Sequence, residues 1–305
     1  MRLANKLLGF AALAGALAFA GAWWLSAPSR IDASALPAHT PDLANGERMF
    51  LAGGCASCHS APDSVGEARL VLAGGRPLVS PFGTFYAPNL SPGPDGIGGW
   101  SELEFVNAMQ RGVSPDGTHY YPAFPYTSYQ RMRVDDVLDL KAYLDTLPVD
   151  ATPSLPHDVG FPFSIRRGLG LWKLLYLDQD PFAVDPRWDA QVALGAYLVK
   201  GPGHCQECHT ARNAIGGRVV ERAFAGAAGL GGDGFTPNIT PHPDGIGSWS
   251  ASDIAYALES GFTPEFDSLG GEMGSVITNF SALSPTDREA VAAYLLSLEP
   301  LPTVR

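Results

Sequence analysis

The sequence predicts two tandem domains of one type, each with helices at corresponding places, behind an N-terminal apolar segment. The first observation is a Cys-x-x-Cys-His motif that occurs at residues 55–59 and again at 205–209, with first cysteines 150 positions apart (205 − 55). A second repeated segment keeps nearly the same spacing, and an apolar run lies near the start of the chain. A repeat at a fixed period indicates a duplicated structural unit, and 305 residues allow about two domains.

The second repeated segment is a proline-asparagine loop. Pro-Asn-Leu-Ser-Pro at 88–92 returns as Pro-Asn-Ile-Thr-Pro at 237–241, an offset of 149 (237 − 88). Each copy is followed by Gly-Ile-Gly-x-Trp-Ser and then by a short helical stretch that ends in glycine, at 104–112 and 253–261. The cysteine motif, the loop and the helix therefore recur at nearly the same offset along the chain.

Each unit also has a helix before its cysteine motif and another at its end. The predicted entry helices, 42–51 and 190–200, carry Gly46 and Gly195, where the missing side chain lets another helix cross closely. The second closing helix begins after Ser284, a predicted N-cap, with Pro285 at its first position. Apolar stripes predicted to face the core are Val137, Leu140, Leu144 and Leu147 in the first unit and Val291, Tyr294, Leu295 and Leu298 in the second.

Cys-x-x-Cys-His is the attachment motif of c-type haem. Two thiols three positions apart on one helical turn reach the edge of the haem, while the adjacent imidazole binds its iron. A zinc ribbon would bring two cysteine pairs within about 20 residues, and a redox dithiol needs no following histidine. The sequence therefore predicts two covalently bound haem c groups, held by Cys55, Cys58 and His59 and by Cys205, Cys208 and His209.

With these motifs the chain resembles class I cytochromes c, and more closely the cytochrome subunits of membrane-bound alcohol and gluconate dehydrogenases. The resemblance covers residues 41–150 and 189–302 and rests on the haem motifs, the proline-asparagine loops, the Trp-Ser segments and the closing helices. It implies an all-α fold of two class I cytochrome c domains, and carbonyls of Pro88 and Pro237 that orient the haem histidines. The alternative is that these prolines only shape a turn. Those subunits usually carry three haem motifs, and this chain has two.

The resemblance also implies a methionine as the second axial ligand of each iron. Met273 is the candidate in the second domain. In the first, Tyr-Pro-Ala-Phe-Pro-Tyr at 121–126 resembles the segment that carries the family's ligand methionine, but Phe124 stands in its place and cannot bind iron. His119 or Met132 could replace it, or the first iron is open. Met132 aligns with a leucine of the second domain, which favours a core position for it.

The N-terminal segment, residues 1–27, is either a membrane anchor or a cleaved signal. Lys6 precedes an apolar run at 7–25, which is long enough for both, and both direct export. Ala-Gly-Ala at 20–22 fits a cleavage site, whereas the tryptophan pair at 23–24 suits a membrane interface. The tryptophan pair favours an uncleaved anchor in the bacterial inner membrane, with the domains on the periplasmic side.

The linker, residues 151–188, is rich in proline and in large apolar side chains, so it is expected to pack on both domains and to fix the distance between the haems. Arg166, Arg167 and Lys173 could neutralise haem propionates or face a membrane, although a solvated charged edge is the favoured interpretation. The histidines that show no ligand pattern are interpreted as loop residues: His39, His157, His204 and His242.

The predicted function is electron transport in a periplasmic respiratory chain. A periplasmic dehydrogenase is the expected donor, and a cytochrome or an oxidase is the expected acceptor. A formal net charge of −11 makes nucleic acid a poor partner. The alternative is a peroxidase-like haem oxidoreductase that uses an open first iron, although no acid-base pair accompanies it.

Overall fold

The computed structural model describes residues 2–229 and 234–303, apart from the side chains of Arg2 and Ala4. Helices make up most of its regular structure, and short strands form two hairpins. The helices are α1 (Arg2–Leu25), α2 (Leu43–Ala52), α3 (Cys55–His59), α4 (Glu102–Arg111), α5 (Tyr126–Tyr129), α6 (Val134–Leu144), α7 (Gly168–Tyr176), α8 (Ala190–Lys200), α9 (Gln206–His209), α10 (Ala251–Ser260), α11 (Glu272–Phe280) and α12 (Pro285–Leu296). The strands are β1 (Pro77–Ser80), β2 (Gly83–Tyr86), β3 (Ala227–Ala228) and β4 (Phe235–Thr236).

The two hairpins are absent from the sequence prediction. β1 pairs antiparallel with β2, with Leu78 opposite Phe85, and β3 pairs antiparallel with β4. Each hairpin lies between a haem motif and the proline-asparagine loop that follows it. Strands of four and two residues show too little alternation of polar and apolar side chains to be recognised in a sequence.

Closely crossed helix pairs, α2 with α6 and α8 with α12, form the centre of the two repeats. A Cβ atom added to Gly46 would lie 2.2 Å from the carbonyl oxygen of Asp139, and one added to Gly195 would lie 1.8 Å from that of Ala290. Both distances are far inside van der Waals contact. The close crossings predicted at the two glycines are therefore confirmed.

The helix after each Trp-Ser begins with a capping box. Ser101 accepts a hydrogen bond from the backbone of Glu104, whose carboxylate accepts one from the Ser101 backbone. Ser250 and Asp253 repeat the arrangement at the start of α10. α4 ends at Gly112 in the left-handed conformation, which glycine adopts without steric cost. The repeated sequence segments therefore form helices that begin and end at equivalent positions.

The predicted apolar stripes are buried, with Leu298 only partly covered. Ser284 caps α12 by accepting from the backbone of Asp287 at 3.1 Å, with Pro285 next in the chain, as predicted. Met49, Met109 and Met132 belong to the same apolar core. The core position that the sequence favours for Met132 is therefore confirmed.

The linker packs on both repeats. The Tyr121 hydroxyl of the first repeat donates to the carbonyl of Phe163, and the Trp172 indole donates to the carbonyl of Ile215 in the second, at 3.0 and 2.9 Å. The expectation that Lys173 lies on a solvated edge is wrong. Its ammonium is buried and donates to the carbonyls of Arg111 and Gly112 at the end of α4. The carbonyls at the end of a helix have no partner inside the helix, so they can accept hydrogen bonds from the lysine. Burial lowers the pKa of Lys173 to about 7.

α1 is long and apolar enough to cross a membrane, and its apolar stretch Asn5–Leu25 is not covered by the rest of the chain. The chain becomes buried directly after it, at Ser26, which is 3% exposed. The carbonyl of Ser26 lies 2.9 Å from Nε2 of His119, and Arg167 donates to its hydroxyl at 2.9 Å. The end of α1 is therefore held by the first repeat and by the linker.

Candidate haem-binding sites

The first haem motif forms the short helix α3. Gly54, which precedes it, has a φ of 57°, a left-handed conformation suited to glycine. His59 donates its Nδ1 proton to the carbonyl of Pro88 at 2.9 Å, as the resemblance implied. Burial lowers the pKa of His59, outweighing the opposite effect of that hydrogen bond, so the ring is neutral near pH 7. A neutral ring with Nδ1 engaged presents the lone pair of Nε2, which is the donor that a haem iron takes.

The second motif repeats this geometry in α9. His209 is 5% exposed, and its Nδ1 donates to the carbonyl of Pro237 at 2.7 Å. Burial lowers the pKa of His209 and raises that of Cys205 to about 12. The neutral thiols and neutral imidazole of each motif form a donor set that fits haem c.

Each proline carbonyl is held in place by the asparagine that follows it, a role that the sequence analysis missed. Asn89 accepts from the backbone of Ser91 at 2.7 Å and donates to the carbonyl of Thr152 at 2.9 Å. Asn238 in the second loop donates to the carbonyl of Leu301 at 2.7 Å. Both asparagines are buried. The available signal was the recurrence of Pro-Asn at the same place in both repeats.

The two haem motifs contact each other's repeat in the same way. Ser57, two residues after Cys55, accepts a hydrogen bond from the Asn279 amide of α11 at 2.8 Å. Glu207, at the same position of the second motif, accepts from Thr127 and Ser128 of α5 at 2.8 and 2.7 Å. The repeats are therefore related by an approximate twofold arrangement that brings the two motifs to one interface.

A second pair of contacts follows the same approximate symmetry. Arg48 of α2 forms a two-point ion pair with Asp287 of α12, with nitrogen-to-oxygen distances of 2.6 and 3.0 Å. At the equivalent place the Tyr197 hydroxyl of α8 donates to the carboxylate of Asp136 in α6. Two-point arginine–carboxylate pairs fix orientation as well as distance. These contacts join the repeats directly, in addition to the linker.

His204 lies at the centre of this interface, where the sequence analysis expected only a loop residue. It precedes Cys205 as Gly54 precedes Cys55, and its φ of 39° is unusual for a residue with a side chain. Its Nε2 lies 3.3 Å from the carbonyl of Gly53, and its ring centroid lies 5.6 Å from that of Tyr129. The imidazole therefore connects the segment before one motif with the segment before the other.

Glu207 is a buried carboxylate that balances two arginines. A guanidinium nitrogen of Arg212 lies 2.5 Å from one carboxylate oxygen of Glu207, and one of Arg218 lies 3.1 Å from the other. Burial by itself would raise the pKa of Glu207, but the two guanidinium groups and the hydroxyls of Ser128 and Thr127 outweigh it and lower the pKa to about 2. The charge network lies within the second repeat, and the hydroxyls of Thr127 and Ser128 join it to the first repeat.

We expect Glu207→Gln to destabilise the protein at pH 7 by about 3 kcal/mol, because it leaves buried guanidinium charge without its partner. A carboxyl whose pKa is lowered on folding stabilises above its ordinary pKa, near 4.5, and loses that contribution as the pH falls toward 2. The difference in the free energy of unfolding between wild type and variant should therefore be smaller at pH 3 than at pH 7. Denaturant unfolding at both pH values measures it, with the exposed Glu289→Gln as control. An equal difference at pH 3 and pH 7 would refute the charge network.

The structure excludes His119 as ligand of the first iron. The side chain is 3% exposed, and its Nε2 faces the carbonyl of Ser26 while its Nδ1 lies 3.0 Å from the Lys173 ammonium. Both nitrogens are therefore engaged, Nε2 by the residue that follows α1 and Nδ1 by the linker helix α7. Met132 is also engaged elsewhere, buried in the core and next to Gly201 of the second repeat.

Phe124 and Met273 have different surroundings. Phe124 is partly buried and lies edge-on to the rings of Tyr120, Tyr126 and Tyr129, with centroids 5.6 to 6.3 Å away. The segment that replaces the family's methionine is thus an aromatic cluster. Met273 is partly buried in the first turn of α11, the helix whose Asn279 contacts the first haem motif.

A family model for cytochrome c matches residues 43–148. A protein of Cereibacter sphaeroides described as "Diheme cytochrome c-type" is 50% identical over 286 residues, which cover 92% of this chain and 93% of that protein. The fructose dehydrogenase cytochrome subunit of Gluconobacter japonicus is 36% identical over 86% of this chain, and the gluconate 2-dehydrogenase cytochrome c subunit of Pantoea cypripedii is 34% identical over 83%. The chain spans only 53% and 58% of these two subunits.

The near full-length match to a two-haem protein agrees with the two motifs of this chain. The cofactor of this chain is covalently bound haem c. The similarity of the chain to dehydrogenase cytochrome subunits indicates electron transfer as its activity. The chain therefore belongs to the dihaem c-type cytochromes.

Proposed function

We propose that this protein is a membrane-anchored carrier that takes electrons from a periplasmic dehydrogenase and passes them to a cytochrome or an oxidase. The observation that supports it best is the pair of histidines, His59 and His209, each oriented by a proline carbonyl in motifs that meet at one interface. When bound, each haem supplies a one-electron iron couple. The kinship with fructose and gluconate dehydrogenase subunits supports a dehydrogenase of a sugar or a sugar acid as the donor.

In this proposal Cys55, Cys58 and His59 hold one haem and Cys205, Cys208 and His209 hold the other. The repeats, residues 41–150 and 189–302, then act as two cytochrome c domains. The ion pair of Arg48 with Asp287 and the charge network at Glu207 keep the two motifs at a constant separation. A fixed separation suits electron exchange because no domain movement is needed before each transfer.

We further propose that Met273 completes the coordination of the second iron. Among the described residues considered as ligands of the first haem, none would take the equivalent role, since Phe124 replaces the methionine and both His119 and Met132 are engaged elsewhere. A less oxidising first site would pass electrons to a methionine-ligated second site, because methionine ligation raises the potential.

The open first position leads to a prediction for carbon monoxide. We expect the fully reduced protein to bind one carbon monoxide per two haems, at the first site. Phe124→Met restores the family's ligand residue and should reduce that binding at least tenfold. Optical titration measures both, with the exposed Phe266→Met as control. Failure of the wild-type protein to bind carbon monoxide would contradict the open position and require another donor from this chain.

The replacement of the methionine by Phe124 also motivates a second candidate function, a peroxidase-like oxidoreductase at the first haem. The aromatic cluster around Phe124 offers no acid-base pair for cleaving peroxide, which weighs against this candidate. Peroxide turnover with a reduced donor would establish it, and electron exchange without turnover would eliminate it.

A further inference from the structure

The linker helix α7 presents a row of leucines to solvent. Leu171, Leu174 and Leu175 are 39%, 58% and 70% exposed, and their spacing of i, i+3 and i+4 places them on one side of the helix. We call these three residues the leucine face. The opposite side, with Gly170 and Lys173, is buried against the rest of the protein. A helix that exposes three leucines while it buries a lysine has the pattern of an element with a second apolar partner.

The leucine face adjoins the end of α1. Arg167 donates to the carbonyl of Trp23 at 2.6 Å, and its guanidinium lies 4.5 Å from the centre of the Trp23 ring. Three residues later, a Cβ atom added to Gly170 would lie 2.2 Å from the carbonyl oxygen of Ser26. α7 therefore touches the residues at which the apolar helix ends.

This contact limits how far the leucine face can lie from a membrane that α1 crosses. Five residues of helix separate Gly170 from Leu175, a rise of about 7.5 Å. The polar interfacial layer on each side of a bilayer is about 5 to 8 Å thick. The leucine face is therefore within reach of that layer.

The side chains at the end of α1 and just before the start of α7 are those that favour the same layer. Trp23 and Trp24 are 56% and 76% exposed at the end of α1, and tryptophan concentrates at membrane interfaces. Arg166 and Arg167 precede α7 in a chain whose net charge is −11. A local group of arginines beside tryptophan and leucine matches a surface with anionic headgroups over hydrocarbon.

We propose that the leucine face of α7 lies in the interfacial layer of the bilayer that α1 spans, so that the linker is a second, peripheral membrane contact. This inference rests on the membrane anchor proposed above. The contact fixes the tilt of the two haem motifs relative to the membrane, because α7 is packed on the first repeat through Lys173 and on the second through Trp172. One helix alone would let the anchor and the protein tilt together in the bilayer.

Cysteine labelling tests this arrangement in the complete holoprotein. All four native cysteines lie in the haem motifs, so an introduced cysteine is the one free thiol once both haems are attached. Leu174→Cys and Leu175→Cys are placed in nanodiscs of phosphatidylethanolamine and phosphatidylglycerol and reacted with a charged, membrane-impermeant maleimide. Val65→Cys, at a 79% exposed site, reports free access, and Leu13→Cys reports the anchor. Each variant is first shown to retain both haems.

We expect both leucine-face cysteines to react at least tenfold more slowly than Val65→Cys, with Leu13→Cys also protected. Protection of Leu13→Cys together with reaction of both leucine-face cysteines at the Val65→Cys rate would overturn the inference and leave the anchor intact. The inference is likewise overturned if the leucine face becomes protected only when a purified dehydrogenase is added. Rapid reaction of Leu13→Cys would overturn the anchor itself, and the leucine-face contact with it.

Discussion

Replacing both Cys205 and Cys208 by alanine is expected to halve the covalent haem content, from two per chain to one. Each haem c is held by two thioether bonds from its own motif, and every cysteine of the chain is used in these two motifs. The second repeat should also become less stable, because a group that binds only the folded chain adds its binding free energy to the stability of the fold. Intact-protein mass and a haem count on the same sample measure the effect.

The control for this experiment is Gln206→Ala, which changes a residue between the two cysteines and removes one hydrogen bond to Arg218. This variant should keep both haems. Retention of two covalent haems by the double cysteine variant would contradict the assignment of the second motif.

Gly195→Ala is expected to destabilise the protein by about 1 to 3 kcal/mol, the range found when a well-packed contact is overfilled. Inside a helix, alanine is ordinarily favoured over glycine by about 1 kcal/mol, so propensity alone predicts the opposite sign. The added methyl group would lie 1.8 Å from the carbonyl oxygen of Ala290, so α8 and α12 must separate. Denaturant unfolding of the holoprotein measures the change.

Gly99→Ala, in a turn, is the control for adding a methyl group that meets no neighbour. A Cβ atom at Gly99 meets no atom within 4 Å, so this substitution should leave stability nearly unchanged. Equal stability of Gly195→Ala and wild type would show that the two helices can separate without cost, which contradicts the packing described here.

The sequence was sufficient for the parts of the fold that depend on local signals. The crossing glycines, the cap at Ser284 and the apolar stripes were all predicted, because each depends on residue type at a fixed helical spacing. The hydrogen bonds from His59 and His209 to proline carbonyls followed from the family resemblance and are confirmed.

What the sequence did not reveal depends on contacts between distant parts of the chain. His119 looked like a candidate ligand because it lies near Phe124, but its partners are Ser26 and Lys173, residues 93 and 54 positions away. Glu207 lay inside a recognised motif, yet its role depends on the hydroxyls of the other repeat. No sequence spacing encodes such pairings, so they emerge only from the folded arrangement.

We propose that this chain carries electrons on two haems that operate as one unit. An anaerobic titration with a stoichiometric reductant, followed optically, counts the electrons that each chain accepts, and mixing with an oxidised soluble cytochrome c counts those that it delivers. We predict two electrons accepted and two delivered per chain, without consumption of peroxide. Uptake of fewer than two electrons, or retention of electrons in the presence of the acceptor, would contradict it.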